Sequence, residues 1–290
     1  MKRFAAAALL WVAAVAHAAV NDKLLVSTTW LASHLGDRHL TIVHVGTTPD
    51  LYNGGHVPGA VFLALDSIMT KRGDVTNELP SLDVLQKAFE TLGIGNRGRI
   101  VIYGDDPLFA ARLFFTLDYA GHGGRAALLD GGFAQWKREQ RAIDTRANTL
   151  PRGEFTARVN QERLGYLSQL KRLGTSSTVT FVDARPPKHF SGEEAGEGVS
   201  RAGHIPSAVN VPWNRSLNAD GLLLPPDALL KIQTDAGVKT NGPIITYCRT
   251  GMQASFEYFV LRYLGFDPAL YDGSYVEWSG DPETAVEARH

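Results

Sequence analysis

An internal repeat in the amino-acid sequence limits the folds that are open to the chain. Residues 55–61 (GHVPGAV) return as 203–209 (GHIPSAV), residues 100–104 (IVIYG) as 244–248 (IITYC), and residues 130–136 (DGGFAQW) as 272–278 (DGSYVEW). The spacings of 148, 144 and 142 residues differ only by the length of a loop. Three matches in one order indicate a duplication, so the sequence predicts two similar domains in tandem.

Both copies alternate short β-branched runs with amphipathic stretches, the pattern of an α/β fold. Strands are predicted at residues 41–45, 100–103, 178–182 and 244–247, and helices at 81–94 (with Ser81 as N-cap), 109–119, 225–238 and 253–264. Strands that alternate with helices favour parallel sheets, so we predict in each domain a parallel β-sheet flanked by helices on both faces.

The domain boundaries follow from the repeat and from the composition of the segment between its copies. Domain 1 is predicted at residues 22–146, an aperiodic linker at 147–160 and domain 2 at 161–285. With 44% hydrophobic and 20% charged residues, the chain has an ordinary globular composition. Its net charge of −1 gives no electrostatic reason to expect a nucleic-acid partner.

Residues 1–18 have the pattern of a cleavable signal peptide. Lys2 and Arg3 precede an apolar run at residues 4–15, and Ala16-His17-Ala18 is a small-x-small cleavage pattern. The run is too short for a comfortable transmembrane span. The sequence therefore predicts export, to a bacterial periplasm, of a protein that has no membrane attachment after cleavage.

A single cysteine, Cys248, marks the difference between the two copies. One cysteine excludes an intrachain disulfide and a cysteine-rich zinc site, and a lone thiol in an exported protein is either inert or kept for chemistry. It begins the loop 248–253 (CRTGMQ), whereas the first copy has 104–107 (GDDP). Ligands of α/β folds bind where such loops follow the sheet strands, so domain 2 is predicted to be catalytic and domain 1 an inactive copy.

The cysteine loop has the residues that an anion-binding cradle needs. Backbone N–H groups from Arg249 to Gln253, with the helix N-terminus behind them, would surround the sulfur and stabilise a thiolate or a persulfide anion. Arg249 adds a positive charge, and Gly251 permits tight curvature. No metal or organic cofactor is needed, because the terminal sulfur of such a persulfide would be carried by Cys248 itself.

These motifs together resemble the tandem-domain rhodaneses, which are thiosulfate or 3-mercaptopyruvate sulfurtransferases. The resemblance covers nearly the whole mature chain and includes the Asp183-Ala184-Arg185 strand end as well as the repeated segments and the loop. It implies ping-pong transfer of sulfur from a small-molecule donor to cyanide or a thiol, through a persulfide on Cys248. A protein that accepts the sulfur stays open as a partner.

Two departures from the family pattern bear on the donor. The family's thiosulfate enzymes place Lys after the Arg, whereas this chain has Thr250, and a second family Arg is replaced by His189, with Lys188 beside it. Arg249, Thr250, Gly251, Met252 and Gln253 are the predicted anion-binding loop, and Arg185, Lys188 and His189 are the predicted additional donor contacts. Arg249 places thiosulfate ahead of 3-mercaptopyruvate, and for Arg185 a structural ion pair with Asp183 is an equal alternative.

Other functions stay open at the level of sequence. A 3-mercaptopyruvate sulfurtransferase would use the same loop, and a non-catalytic periplasmic sulfur carrier or binding protein would keep Cys248 without turnover. A cysteine phosphatase would need an Arg six residues after the nucleophile, where this chain has Ala254. A purely structural tandem domain would leave the lone thiol and its neighbours unexplained.

Overall fold

Two five-stranded sheets organise the computed structural model, which describes residues 19–73, 75–173 and 178–288. The signal peptide predicted at residues 1–18 lies outside the described residues. The strands are β1 (Leu25–Val26), β2 (Leu40–Gly46), β3 (Val61–Ala64), β4 (Thr70–Arg72), β5 (Val75–Glu78), β6 (Arg99–Gly104), β7 (Ala126–Leu129), β8 (Leu164–Gly165), β9 (Thr180–Asp183), β10 (Val209–Asn210), β11 (Ile244–Tyr247) and β12 (Ala269–Tyr271).

Both sheets are parallel and have the same strand order. The first runs β1-β7-β6-β2-β3 and the second runs β8-β12-β11-β9-β10, while β4 and β5 pair separately as an antiparallel ribbon. Each strand of the first sheet thus has its counterpart at the same place in the second. The predicted fold class, two tandem α/β domains with parallel sheets, is confirmed.

The helices lie within three residues of the predicted positions, and a side-chain cap explains the largest shift at a helix start. Helix α4 begins two residues earlier than predicted, because the Asp106 carboxylate accepts a hydrogen bond from Leu108 N at 2.7 Å and Pro107 suits the first helical position. Ser81 occupies the predicted N-cap of α3, but its side chain accepts no capping hydrogen bond from the backbone of that helix. The helices are α1 (Thr28–His34), α2 (Asp50–Gly54), α3 (Leu82–Thr91), α4 (Pro107–Tyr119), α5 (Gly132–Arg138), α6 (Leu167–Leu173), α7 (Pro187–Ser191), α8 (Pro226–Asp235), α9 (Met252–Tyr263) and α10 (Ser274–Gly280).

Apolar side chains on both faces of each sheet are buried. On β2, Ile42 packs in one cluster and Val43 in another on the opposite face, and on β11 Ile244 and Ile245 divide in the same way. Because neighbouring side chains of a strand point to opposite faces, this division shows that each sheet is covered on both sides. The continuous apolar runs in the sequence are explained by this double burial.

Helices α4 and α9, one from each domain, pack against each other and join the two cores. Phe114 meets Phe259 edge-on at 5.0 Å between ring centroids, and Phe115 meets Tyr258 at 5.1 Å. The repeat spacing of 144 maps Phe114 onto Tyr258 and Phe115 onto Phe259, so the two contacts are equivalent. The domains therefore face each other about an approximate two-fold axis, with a shared apolar core.

Each domain also sends a loop across the sheet end of the other. The Leu79 N–H of domain 1 donates to Asp272 Oδ2 at 2.6 Å, and the Leu223 N–H of domain 2 donates to Asp130 Oδ1 at 2.9 Å. Leu79 and Leu223 are again 144 residues apart. The space beyond the strand ends of each sheet is consequently walled by residues of both domains.

Glu257 on α9 makes the stability of the protein depend on pH. Its side chain is buried, accepts a hydrogen bond from Gln233 Nε2 at 2.6 Å, and burial raises the pKa of the carboxyl from its ordinary value to about 8. Below pH 4.5 both folded and unfolded states hold the proton. Between that pH and 8 only the folded state does, so the free energy of unfolding falls as the pH rises.

We expect Glu257→Gln to remove this contribution. Its free energy of unfolding should match that of the wild type at pH 4 and exceed it at pH 8, by up to about 4 kcal/mol. Urea denaturation at the two pH values measures the difference, with the exposed Glu162→Gln as the control. A difference between the Glu257 variant and the wild type that is the same at both pH values would contradict the assignment.

Candidate active site

Cys248 lies at the carboxyl end of β11, in the loop that leads into α9. Its side chain is buried, with the residue 1% exposed, and the Gly251 N–H points at Cys248 Sγ with 3.1 Å between nitrogen and sulfur. Gly251 has φ +89°, a left-handed conformation that suits glycine, and it is the N-cap of α9. Met252 and Gln253 follow as the first turn of that helix. The loop thus brings a backbone donor and a helix N-terminus to the thiol.

The start of α10, which follows strand β12, forms hydrogen bonds with Cys248. Ser274 Oγ accepts a hydrogen bond from Cys248 N at 3.3 Å, and Tyr275 N donates to the Cys248 carbonyl at 2.9 Å. Ser274 is buried and has φ +52°, which is unusual for a residue with a side chain. Sequence analysis did not single out Ser274, although the repeated Asp-Gly-x-aromatic segment that contains it was the available signal.

A buried cation of domain 1, Arg112, packs against the cysteine loop of domain 2. Arg112 on α4 is fully buried, and its Nη1 donates to Asp272 Oδ1 at 2.6 Å while its Nη2 donates to the Asn77 carbonyl. The Asn77 side chain in turn donates from Nδ2 to Thr250 Oγ1 at 3.0 Å. A Cβ on Gly251 would lie 3.1 Å from Arg112 Nη1, so the guanidinium packs directly against the cysteine loop.

Arg112 and Asn77 were missed by the sequence analysis. The signal for Arg112 was a cation in the middle of a largely apolar helix, and for Asn77 there was none, since its role depends on how the domains pack.

Arg249 leaves the loop towards the surface. Its Nη1 donates to the Glu197 carbonyl at 3.0 Å and lies 3.6 Å from the Glu197 carboxylate, whose side chain is 90% exposed. A methyl group placed on Gly196 would lie 3.7 Å from Arg249 Cδ and 3.3 Å from the His189 ring. Residues 196–197 therefore cover both Arg249 and His189, and the ion pair to Glu197 is solvent-exposed and weak.

Arg185 is held by Asp183 at the end of β9. Its Nε and Nη2 bind the Asp183 carboxylate at 2.6–3.1 Å, Nη2 also donates to the Gly203 carbonyl, and the guanidinium stacks 4.0 Å from the Tyr275 ring. Burial opposes the charged form, but the charge of Asp183 outweighs it and raises the pKa of Arg185. The structural ion pair weighed in the sequence analysis is thus present, and Arg185 Nη1 is buried without a partner among the described residues.

Lys188 and His189, on α7, contact glutamates. Lys188 Nζ lies 3.1 Å from Glu194, with the lysine side chain 59% exposed, and His189 Nε2 lies 3.5 Å from the same carboxylate. Gly196 packs against both His189 and Arg249, whereas Lys188 points to solvent. Their contact with the donor remains a prediction.

Within residues 19–73, 75–173 and 178–288, no group of three His, Cys, Asp or Glu side chains is placed to hold a metal ion. In the same residues no helix is long and apolar enough to cross a membrane. The chemistry described below uses the thiol, its loop and the surrounding cations.

Comparison with known proteins decides the family. A model of the rhodanese-like domain matches residues 27–139 and again residues 167–281. The chain belongs to the rhodanese family. Both repeats found in the sequence are thus rhodanese-like domains, as the resemblance predicted, while the exact domain and linker boundaries remain predictions.

Rhodanese-family relatives match the chain over most of its length. The sulfur carrier protein TtuD of Thermus thermophilus is 32% identical over 89% of this chain and 94% of its own. A provisionally named thiosulfate sulfurtransferase of Saccharopolyspora erythraea is 31% identical over 89% of this chain and 94% of its own. The crystal structure of SseA from Escherichia coli, described as a 3-mercaptopyruvate sulfotransferase, has a TM-score of 0.78 and 30% identity, over 87% of this chain and 98% of that one.

These rhodanese relatives support a sulfurtransferase function for the chain. Their names include both donors considered above, so they do not distinguish thiosulfate from 3-mercaptopyruvate.

Proposed function

We propose that this rhodanese is a thiosulfate sulfurtransferase that carries sulfur as a persulfide on Cys248. The observation that carries the proposal is the Gly251 N–H, which is aimed at Cys248 Sγ at 3.1 Å in a buried loop. A donor in that position stabilises the negative charge of a thiolate and, after transfer, that of a persulfide. Arg112 and Asp272 are hydrogen-bonded to each other and pack against Gly251, and this packing fixes the orientation of the Gly251 N–H.

The reaction balances without an external oxidant or a cofactor. The Cys248 thiolate attacks the outer sulfur of thiosulfate, and a sulfur–sulfur bond forms as the bond to the sulfite sulfur breaks. Sulfite leaves with the electron pair. In the second half-reaction cyanide attacks the terminal sulfur of the persulfide and forms thiocyanate, or a thiolate forms a new persulfide, and the Cys248 thiolate is regenerated.

Arg249 is the proposed contact for the thiosulfate dianion. Its present partner, Glu197, is a surface carboxylate, so an incoming dianion displaces only a weak ion pair. His189 lies on the same side of Gly196 and adds a hydrogen-bond donor there. An arginine offers a planar pair of donors that matches an oxyanion, which favours thiosulfate over the more weakly charged 3-mercaptopyruvate.

We expect Arg249→Gly to raise KM for thiosulfate by about tenfold or more and KM for 3-mercaptopyruvate much less. The measurement is steady-state kinetics with each donor and cyanide as acceptor. The control, Arg249→Lys, retains the positive charge and should retain most of the affinity for thiosulfate. Equal effects of Arg249→Gly on both donors would show that Arg249 does not select the donor. A preference of the wild-type protein for 3-mercaptopyruvate would overturn the proposal that thiosulfate is the donor.

A non-catalytic sulfur carrier is the second candidate, because one relative bears that name and because Thr250 stands where thiosulfate enzymes have a lysine. A carrier would gain one sulfur atom from the donor, seen by intact mass, yet show negligible turnover with cyanide or thiols. It would then pass its sulfur to a protein acceptor. Multiple turnovers with a small-molecule acceptor favour the enzyme.

We also propose that the chain is exported to the periplasm by the segment at residues 1–18. The pattern of a basic start, an apolar run and Ala16-His17-Ala18 supports this proposal. N-terminal sequencing of protein recovered from a periplasmic extract should give a start near Ala19. Full-length protein found only in the cytoplasm would overturn it.

A further inference from the structure

A cavity of about 500 Å³ lies at the sheet end of domain 1, the domain without a cysteine. It opens beyond the ends of β2, β6 and β7 and is closed on the other side by domain 2, through α9 and residues 217–223. Its apolar walls include Phe133, Ile143, Leu223, Phe256 and Phe259. This size is typical of a pocket for a small organic ligand.

The repeat shows how this sheet end of domain 1 differs from that of domain 2. At the spacing of 144, Phe256 is the counterpart of Arg112. At the same spacing the loops after β6 and β11 have equal numbers of residues, but Asp105 stands in domain 1 where domain 2 has Arg249. Domain 1 therefore has an acidic strand end, and an aromatic wall takes the place of the inserted cation.

A buried histidine–aspartate pair lies at the strand ends that line this cavity. His44 Nε2 is 2.6 Å from Asp105 Oδ1, and the His44 side chain is 2% exposed. Burial lowers the pKa of His44, although Asp105 opposes this effect, so the imidazole is neutral at pH 7 and donates its Nε2–H to the carboxylate. His44 Nδ1 has no hydrogen-bond partner among the described residues. That nitrogen has almost no accessible surface, so the contribution of His44 to the cavity is the hydrogen bond that holds the Asp105 carboxylate.

The charges around the cavity favour a cation. Asp50, Asp105, Asp130 and Asp220 are among the described residues that line it, against one cationic lining residue, Lys137. Lys137 lies over the Phe133 ring at 5.1 Å, and Asp220 is paired with Arg138 at 3.2 Å. Asp130 accepts the Leu223 N–H, and burial raises its pKa. Asp50 is exposed and accepts from Thr48 Oγ1 at 3.0 Å, so Asp105 is the carboxylate that a cation deep in the cavity would meet.

The helix N-terminus at this place does not reverse that preference. Pro107, the first residue of α4, lines the cavity, and a helix N-terminus by itself attracts anions. Asp106, however, caps this end with its own carboxylate at 2.7 Å from Leu108 N. The positive end of the helix is thus already neutralised.

We propose that the domain 1 cavity binds a small organic cation, an ammonium group on an apolar or aromatic body, with the ammonium at Asp105, which His44 holds in place, and the body against the aromatic wall. This binding does not depend on sulfur transfer at Cys248. Domain 1, the copy without a nucleophile, thus has a ligand site of its own.

Three probes that share one ring and differ in charge test the proposal. Isothermal titration calorimetry of the full chain should show saturable binding of 2-phenylethylamine and binding at least about tenfold weaker for 2-phenylethanol and 3-phenylpropionate. The same result is expected with the Cys248→Ser variant, so a failure of the proposed sulfur transfer would leave this test intact. No saturable binding of the amine, or equal binding of the anion, would overturn the proposal.

Two variants locate the binding. Asp105→Asn keeps an acceptor for His44 and removes the charge, and we expect it to weaken amine binding by about tenfold or more. Ala134 is exposed and lines the cavity, so Ala134→Trp should obstruct the cavity with little effect on folding. The matched control is Asp83→Asn, an equal charge change at an exposed position of domain 1 outside the cavity. Amine binding that survives both cavity variants would place the ligand elsewhere and overturn the assignment.

Discussion

Cys248→Ser is expected to lower sulfur-transfer turnover by at least about a thousandfold while the fold is retained. A serine hydroxyl is a far weaker nucleophile than a thiolate, and it cannot carry a persulfide. The replacement is nearly isosteric, and the Gly251 N–H that now faces Cys248 Sγ would still find an acceptor. The thermal unfolding temperature should therefore change little.

Two measurements on the same samples check this result. Steady-state assays with thiosulfate and cyanide give the turnover, and intact mass after donor alone shows whether one sulfur atom is gained. A suitable control is Thr116→Ser on α4, a conservative change at a buried position outside the cysteine loop. Turnover near the wild-type value in Cys248→Ser would overturn the persulfide mechanism.

The repeat and the strand–helix alternation were enough to predict the fold. Apolar runs such as β11 and β2 are buried on both faces, so their sequence carries a strong signal. The cysteine loop was also predictable, because Cys248 and Gly251 are neighbours in sequence and the turn needs little information from elsewhere. Element ends were less predictable: Asp106 starts α4 two residues early, and α3 and α8 each end three residues before the predicted position.

The parts that sequence reasoning missed depend on contacts between the domains. Arg112 reaches Asp272 across 160 residues of sequence, and Asn77 reaches Thr250 across 173. Neither pair has a local pattern, since the contact exists only once α4 and α9 have packed together. The domain 1 cavity was missed for the same reason: the absence of a cysteine indicated inactivity, whereas the space itself is created by tertiary packing.

Arg112→Met should destabilise the protein by about 3–5 kcal/mol, because it leaves the Asp272 carboxylate buried without its cation. The Arg112 side chain is fully buried, and that of Asp272 is 9% exposed, so water cannot replace the lost partner. Urea denaturation measures the change. The control is Arg152→Met, since Arg152 pairs with Glu90 at the surface with its side chain 65% exposed, and its loss should cost about 0–1 kcal/mol.

A second variant separates the charge from the packing. In Arg112→Met with Asp272→Asn, the neutral amide still accepts the Leu79 N–H, and the uncompensated charge is gone, so part of the lost stability should return. A double variant no more stable than Arg112→Met alone would show that packing, not charge, is what Arg112 contributes.

Arg112 is also expected to act as a positioning residue for Cys248, since its guanidinium packs on Gly251, whose N–H faces the sulfur. Under conditions where Arg112→Met is fully folded, kcat should fall by about tenfold or more. KM for thiosulfate, which we propose depends on the half-buried Arg249, should change little. A folded Arg112→Met protein with wild-type kcat would limit Arg112 to stability. A parallel rise in KM would instead indicate that the donor-binding side of the loop had moved.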